Sequence, residues 1–426
     1  MITRWHWLLS RMTKRLWFRA TLFSILGVIT ALLALAFKDY VPDSLSDSVG
    51  ADAVDKILGI IATSMLTVTT FSLSVMVTAY SAASDGVTPR ATTLVMEDAT
   101  TQNALATFIG SFLFSLVGII ALSTGLYGKQ GRVLMFAMTI LVIVLIIYTL
   151  LRWIDHLSKL GRVGETIDRV ENATTSAIKA RIDWPHLGAS PYPPHVPHNM
   201  TKVVAKEVGY VQYIDVQSLG EIANEFDFDL YIQVVPGSFV SLGEDIALIH
   251  MSKTSDALDE IQRRILSAIT VGISRTFEHD PRFGLSVLSE IASRALSPAV
   301  NDPGTAIDVI SRGVRIFSRL GAQAPEPQEP DRMCQRIFLP ALDLEDMFED
   351  FFSPLARDSA ALVEVGIRLL KALGSLARHD PKYFSQVTSK HAQLMLDRAE
   401  HANILNADLM QLRKVAHEQG FDFKPS

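Results

Sequence analysis

The chain has 426 residues, a formal net charge of −6 and a pI near 6.0, which give no support to nucleic-acid binding as a main task. Its single cysteine, Cys334, excludes an intrachain disulfide framework and any zinc site built on cysteines. Apolar residues make up 49% of the chain, and the long apolar stretches lie in its N-terminal part. We therefore expect a membrane domain followed by a more polar domain.

Residues 1–19 mix Trp, Leu and Met with Arg and Lys, which predicts an interfacial segment at the membrane surface. Residues 20–152 contain four stretches long enough to cross a bilayer and predict a four-helix transmembrane domain. They are Ala20–Phe37, Ile57–Ser84, about Asn103–Gly128, and Val133–Leu151. A cleaved signal peptide is the alternative for the first stretch, but its length and the three later spans favour a membrane helix.

Basic residues flank the four spans unequally and predict the orientation. One side holds Arg4, Arg11, Lys14, Arg15, Arg19, Arg90, Arg152, Lys159 and Arg162, and the other holds only Lys38, Lys56, Lys129 and Arg132. We expect both termini in the cytoplasm. The first external loop then carries five aspartates: Asp39, Asp43, Asp47, Asp52 and Asp55.

The second span carries an aligned row of polar side chains, which we call the hydroxyl stripe. At 100° per residue its members fall within about 60° of one line: Thr63, Ser64, Thr67, Thr70, Ser74, Thr78, Ser81 and Asp85. Small hydroxyl residues also let membrane helices pack closely, so helix packing is the simpler explanation. The length of the stripe and the ionisable residue at its end favour an aqueous lining instead. In the third span, Thr107, Ser111 and Ser115 form a shorter polar face that either packs against the stripe or extends it.

Residues 153–207 are predicted to continue the fourth span as a helix through Ile182 and then to form a proline-rich extended linker. His186, His195 and His198 in that linker lack a carboxylate or cysteine cluster, so we expect no metal site. Residues 208–250 read as strands and predict a small β module. The turn Pro236-Gly237-Ser238 resembles the hairpin of lipoyl-type modules but lacks a lysine to carry the cofactor, and we expect no cofactor.

Residues 251–426 predict a cytoplasmic helical domain, with an apolar row at Ile261, Ile265, Ile269 and Ile273. Asp-Pro pairs at 280–281, 302–303 and 380–381 predict three helix starts, each with Asp as N-cap and Pro as first residue.

One segment of this domain is a candidate ligand site. Ser297, Asn301, Asp302 and Thr305 lie on a loop before a predicted helix, with Arg275, Arg282 and Arg294 nearby in sequence. A helix start with basic neighbours can hold an anion or nucleotide. The alternative, which we favour, is an internally hydrogen-bonded loop or a subunit interface.

Three segments of the chain resemble a bacterial family of predicted membrane proteins, the domain of unknown function 2254. They are the corner GVTPRATT after Asp85, the strand region VGYVQYIDV…SLGEDIALI, and RTFEHDPRFGLSVLSEIASRALSPAVNDPGTAIDVI. The family usually has Ser-Pro-Arg in the corner, where this chain has Thr88, Pro89 and Arg90. The resemblance implies a four-span membrane domain with a cytoplasmic domain behind it, and no established activity. The strand and helix patterns described above predict that this cytoplasmic domain is α+β.

The chain has no P-loop, GxGxxG, HExxH, GxSxG or kinase signature, and we expect no enzyme. Two hypotheses follow. The first is a homo-oligomeric ion channel of the bacterial inner membrane, with a slight preference for cations and a cytoplasmic regulatory domain. Its partners are the lipid bilayer, inorganic ions and further copies of itself, and its pore is lined by Thr63, Thr67, Thr70, Ser74, Thr78, Ser81 and Asp85. The second is a non-conducting, membrane-anchored sensor or scaffold.

Overall fold

The structure is a computed structural model that describes residues 16–36, 51–96, 98–124, 128–159, 161–251, 257–322 and 334–422. The chain divides into two compact units, and the boundary falls between Thr166 and Ile167. We call them the membrane unit and the C-terminal unit and describe each by itself. The predicted interfacial segment lies almost wholly outside the described residues, and the aspartate-rich loop does so up to residue 50.

The membrane unit is entirely helical in its described part. Its helices are α1 (Leu16–Ala36), α2 (Ala51–Gly86), the short α3 (Thr92–Met96), α4 (Ala99–Ser123) and α5 (Gly128–Leu157). Three segments are long and apolar enough to cross a membrane: Ala53–Ala82, Ala99–Ser123 and Gly131–Leu157. In α1 the apolar stretch is shorter, Ala20–Thr30. Three membrane helices are thus supported, and the first of the four predicted spans stays a prediction.

Helix α4 is the centre of this unit, because α1, α2 and α5 all pack against it. At one point the backbones of α4 and α1 are so close that no side chain fits between them. A Cβ atom added at Gly27 would lie 2.6 Å from the carbonyl oxygen of Gly110, and one added at Gly110 would lie 2.8 Å from that of Phe23. Two glycines therefore let the two backbones touch, as is common where membrane helices cross.

We expect Gly110→Ala to destabilise the membrane unit by about 1–3 kcal/mol, because its methyl group meets backbone atoms that cannot rotate away. The measurement is the thermal unfolding of the purified protein in detergent. Gly59→Ala is the matched control, since a Cβ atom there has no atom within 4 Å apart from the backbone of its own helix turn. Equal unfolding temperatures for the two variants would contradict the close helix contact.

The predicted continuous helix from the fourth span to Ile182 is wrong. Helix α5 ends at Leu157, and a separate helix, α6, covers Val163–Asp183. Gly161, in the turn between them, adopts φ +80°, a left-handed conformation that glycine tolerates best.

The C-terminal unit contains two sheets. The strands are β1 (Ala189–Ser190), β2 (Thr201–Val204), β3 (Gly209–Ile214), β4 (Phe228–Ile232), β5 (Phe239–Val240), β6 (Asp245–Met251), β7 (Ile269–Gly272) and β8 (Cys334–Phe338). Their order is β1-β8-β4-β6-β2 in the larger sheet and β5-β3-β7 in the smaller one. Helix α7 (Val216–Glu225) joins β3 to β4 and packs on β8.

The sheets extend well beyond the predicted module at 208–250. Strand β8, about a hundred residues later, pairs in parallel with both β4 and β1. The proline-rich segment is also not a free linker, because it supplies β1 and because the Tyr192 hydroxyl donates to the carbonyl of Ile232 at 2.6 Å. Parallel pairing joins strands that are distant in sequence, so local patterns do not reveal it.

The remaining elements are helices: α8 (Leu258–Ala268), α9 (Pro281–Ala295), α10 (Pro303–Ala322), α11 (Leu344–Asp358), α12 (Val363–His379), α13 (Pro381–His401) and α14 (Asn406–Glu418). The three predicted Asp-Pro helix starts are confirmed. Asp280, Asp302 and Asp380 each accept a hydrogen bond from the backbone N–H three residues later. The predicted apolar row ends early, since β7 begins at Ile269 and leaves Ile273 96% exposed.

Aromatic side chains fill the core of this helical part. Phe317, Phe348, Phe351, Phe352 and Phe384 are fully buried and contact one another. His391 lies among them, 5.6 Å from the ring of Phe348, and is 1% exposed. Burial lowers the pKa of His391 to about 4, so this side chain is neutral at pH 7.

We expect the stability of the C-terminal unit to fall as the pH drops from about 6.5 to about 4. In that range the unfolded chain binds a proton at residue 391 that the folded unit excludes, so acid favours unfolding. Denaturant unfolding of the detergent-solubilised protein at several pH values checks this. His391→Leu should flatten the dependence, whereas His195→Leu, at an exposed site, should leave it unchanged. A wild-type protein that shows no loss of stability over this range would disprove the expectation.

Candidate functional site

The hydroxyl stripe lies on the outside of the membrane unit. Thr63, Thr67, Thr70, Ser74, Thr78 and Ser81 are exposed, and Ser64 is partly buried. The opposite side of α2 is buried against the other helices through Leu58, Ile61, Met65, Ser72, Met76 and Ala79. The residues of the stripe are therefore not part of the hydrophobic core of a single copy of the protein. Asp85 belongs to the last turn of α2, and its side chain lies outside what the structure describes.

Six of the seven stripe hydroxyls are satisfied within their own helix. Each of the six donates to the carbonyl four residues earlier: Thr63 to Gly59 at 3.0 Å, Ser64 to Ile60 at 2.6 Å, Thr67 to Thr63 at 2.9 Å, Thr70 to Leu66 at 2.9 Å, Ser74 to Thr70 at 3.1 Å, and Thr78 to Ser74 at 3.0 Å. A hydroxyl that has used its one hydrogen still offers oxygen lone pairs. The stripe is consequently a row of neutral acceptors, chemically suited to weak contact with water or with a cation.

The polar residues of the third predicted span do not extend the stripe. Thr107 and Ser111 are each 5% exposed and Ser115 is fully buried, all on α4 inside the unit. Thr107 donates to the carbonyl of Asn103 at 2.8 Å. The exposed row of hydroxyls therefore belongs to α2 alone.

A second polar cluster of the membrane unit escaped the sequence analysis. The Asp98 carboxylate caps α4 by accepting from the backbone N–H of Thr101 at 2.7 Å, and it lies 2.8 Å from Nε2 of His156 on α5. One turn earlier on α5, the buried Trp153 donates to the Ser72 hydroxyl at 3.0 Å. These contacts join α2, α4 and α5 at one end. The partners in the two contacts between helices stand 58 and 81 residues apart, so spacing offers no signal for them.

The loop at 294–305 is internally hydrogen-bonded. The Ser297 hydroxyl donates to the carbonyl of Arg294 at 2.7 Å, and Asn301 adopts φ +51°. The backbone N–H and hydroxyl of Thr305 both donate to Asp302, at 3.1 and 2.6 Å, and they lower the pKa of that carboxyl.

Two of the three arginines near this loop are engaged elsewhere. Arg275 forms a two-bond pair with Asp280, at 2.6 and 2.9 Å. Arg282 lies between Asp346 and Asp350 of α11 and donates to Asp350 at 2.6 Å. Neither guanidinium is directed to an anion site at the loop. Among the described residues, no group of three or more His, Cys, Asp or Glu could hold a metal ion.

The membrane helices are followed along the chain by the mixed helical and sheet unit, and the corner Thr88-Pro89-Arg90 lies within the membrane unit. In the corner, the Thr88 hydroxyl accepts from the backbone N–H of Arg90 and starts a 3₁₀ turn. A family model described as a predicted membrane protein, domain of unknown function 2254, matches residues 13–375. The chain belongs to this family.

Relatives of this family member include uncharacterized proteins of Mycobacterium bovis and Mycobacterium tuberculosis. Each is 26% identical to the chain over 294 residues, which is 66% of the chain and 55% of the relative. The chain thus spans about half the length of the curated relatives it matches. No solved structure matches it.

One further charged group of this family member is unusual. Arg181 on α6 is 5% exposed, and none of its three guanidinium nitrogens has a hydrogen-bond partner in the described part of the chain. Burial lowers the pKa of Arg181 to about 10, while the nearby Asp280 carboxylate raises it. Asp280 is already bound by Arg275, so the charge of Arg181 is poorly compensated.

We expect Arg181→Met to stabilise the C-terminal unit by about 1–4 kcal/mol, because it removes a buried charge and keeps an unbranched apolar stem. Arg181→Lys retains the charge and should bring no gain. Denaturant unfolding of the three proteins measures the difference. A loss of stability in Arg181→Met would mean that the guanidinium makes a stabilising contact in solution.

Proposed function

We propose that this protein is a homo-oligomeric ion channel of the bacterial inner membrane, with α2 of each copy facing a shared aqueous path. In this arrangement α1, α2, α4 and α5 are the four spans, and both termini lie in the cytoplasm. The pore-lining residues are Thr63, Thr67, Thr70, Ser74, Thr78, Ser81 and Asp85. The conducted species are inorganic ions, with cations slightly favoured.

The observation that carries the proposal is the outward position of the stripe. From Thr63 to Ser81 it covers 18 steps along α2, about 27 Å at 1.5 Å per residue. That length approaches the roughly 30 Å hydrocarbon thickness of a bilayer. A polar row of this depth on an otherwise apolar surface supports a water-filled path over contact with lipid.

The proposal requires several copies, because the buried side of α2 already packs on α4 and α5 and leaves no space within one unit. Copies arranged around an axis would bring their stripes together. Each stripe offers hydroxyl oxygens whose hydrogens are already used, which supports a mild preference for cations. The membrane span of α2, which faces the path, carries no Lys, Arg, Asp or Glu between Ile57 and Ser84, which supports passive conduction over a coupled pump.

The alternative is a non-conducting sensor or scaffold, in which the stripe packs helices of neighbouring copies in a dry contact. The four-residue spacing of Thr70, Ser74 and Thr78 favours it, because small residues at that spacing let membrane helices approach closely. The two functions differ in whether water reaches the stripe.

We expect discrete single-channel currents from the purified protein in a planar bilayer, with a conductance that Ser74→Leu changes because it places bulk in the path. Leu73→Phe adds bulk to an exposed residue on another side of α2 and is the matched control. The reversal potential under a salt gradient reports the sign of the ion.

Cysteine labelling separates the two functions independently of gating. The native Cys334 is buried, so single cysteines placed at positions 67, 70, 74 and 78 can be tested with a charged thiol reagent in vesicles. We expect reaction at these positions and protection at 66 and 73. Protection along the whole stripe, together with a monomeric protein in mild detergent, would exclude the channel.

A further inference from the structure

A polar cavity of about 550 Å³ lies in the C-terminal unit between α9, α11 and α13. Helices α9 and α11 are neighbours, and each contributes polar residues three or four positions apart, which places them on one helix face. Packed helices ordinarily meet through apolar faces, and a cavity of this size is typical of small-molecule sites. The cavity is separate from the stripe and from the 294–305 loop.

Two buried hydroxyls line this cavity without partners. Ser289 of α9 is 1% exposed and Ser353 of α11 is 8% exposed, and neither hydroxyl has a hydrogen-bond partner among the described residues. In a helix such a hydroxyl normally donates to a carbonyl three or four residues earlier, as Ser286 does to Arg282 at 2.9 Å. Buried polar groups are nearly always satisfied, so these two hydroxyls point to a polar ligand.

The charged groups that line the cavity are the carboxylates of Glu290, Glu349 and Asp350 and the guanidinium groups of Arg357 and Arg398, and along α11 the two signs are separated. Glu349 lies at one end and forms no salt bridge with a described residue, whereas the neighbouring Asp350 pairs with Arg282. Arg357 lies eight residues later, about 12 Å along the helix axis. It forms a two-bond pair with the adjacent Asp358, at 2.7 and 2.9 Å, and its Nη1 has no hydrogen-bond partner among the described residues. Arg398 of α13 joins the basic side and donates to the carbonyl of Ser353 at 2.8 Å.

We infer that this cavity binds a short peptide with free termini. The peptide ammonium group lies at Glu349, its carboxylate lies at Arg357 and Arg398, and its peptide groups meet the hydroxyls of Ser289 and Ser353. An extended peptide advances about 3.3–3.6 Å per residue, so two or three residues bridge the two charged ends once the side chains reach inward. A free amino acid is too short for both ends, and an ω-amino acid lacks polar groups for the two serines.

The first experiment is a length series on the full chain in detergent, by isothermal titration calorimetry with glycine, diglycine, triglycine and tetraglycine. We expect the tightest binding for diglycine or triglycine. N-acetylation or C-terminal amidation of the best peptide should each weaken binding about tenfold, because each removes one charge-assisted contact. An ω-amino acid of the same length should also bind less tightly.

Variants assign each end of the peptide. Glu349→Gln should lower the affinity for the free peptide about tenfold and leave the affinity for the acetylated peptide unchanged. Arg357→Gln should lower the affinity for the free peptide by a similar factor and leave the affinity for the amidated peptide unchanged. Both side chains are exposed, so these variants should fold. Glu260→Gln, an exposed carboxylate on α8, is the control for the change in charge. Ser289→Ala should weaken every glycine peptide but not the ω-amino acid.

Absence of binding by all four glycine compounds to the folded wild-type protein would overturn the inference. So would equal affinity for free and doubly blocked peptides, or an affinity that neither Glu349→Gln nor Arg357→Gln changes. None of these readouts involves ion conduction, so they test the cavity whether or not the protein is a channel.

Discussion

A polar group that faces hydrocarbon must find its hydrogen-bond partner within its own segment, and α2 meets this constraint on its exposed side from Thr63 to Thr78. Each back-bonded hydroxyl of the stripe uses a carbonyl of the preceding turn, so the helix keeps a polar surface at little energetic cost. Helices α4 and α5 pack against the opposite, apolar side of α2, and α4 brings its own Thr107, Ser111 and Ser115 inside the unit. The hydroxyl stripe therefore contacts the surroundings of the unit in the membrane.

The C-terminal unit depends instead on contacts between distant segments. Strand β8 enters the larger sheet between β1 and β4, so residues near 190, 230 and 335 form one hydrogen-bonded layer. Gly220 of α7 lies against Cys334 of β8, where a Cβ atom would be 2.5 Å from the sulfur, and burial raises the pKa of that thiol. The cysteine is thus a core residue that fills space beside a glycine, with no feature of a reactive thiol.

Ion pairs between arginines and carboxylates connect helices of this unit. Arg312 of α10 lies between Asp168, Glu171 and Asp308, and Arg315 donates to Glu171 at 2.7 Å, which ties α6 to α10. The carboxylates raise the pKa of Arg312, whose side chain is mostly buried. Arg181 and the serines Ser289 and Ser353 of the α9–α11 cavity differ from these paired arginines, because their polar atoms have no hydrogen-bond partner in the described part of the chain. They mark where the unit has not been arranged for stability alone.

What the sequence by itself determined was local: the apolar lengths of the membrane helices, the alignment of hydroxyls on one side of α2, and the helix starts at Asp280, Asp302 and Asp380. Each of these depends on residues within four positions of one another, so the helical period alone reveals them. Only the tertiary structure decided that the stripe is the uncovered side of α2, that the helix of the last span ends at Leu157, and that β8 completes a sheet begun at Ala189. It also decided that Arg275 and Arg282 pair with aspartates outside the 294–305 loop and that Ser289 and Ser353 line the same cavity. These outcomes depend on which distant surfaces fit together, and no spacing along the chain records that choice.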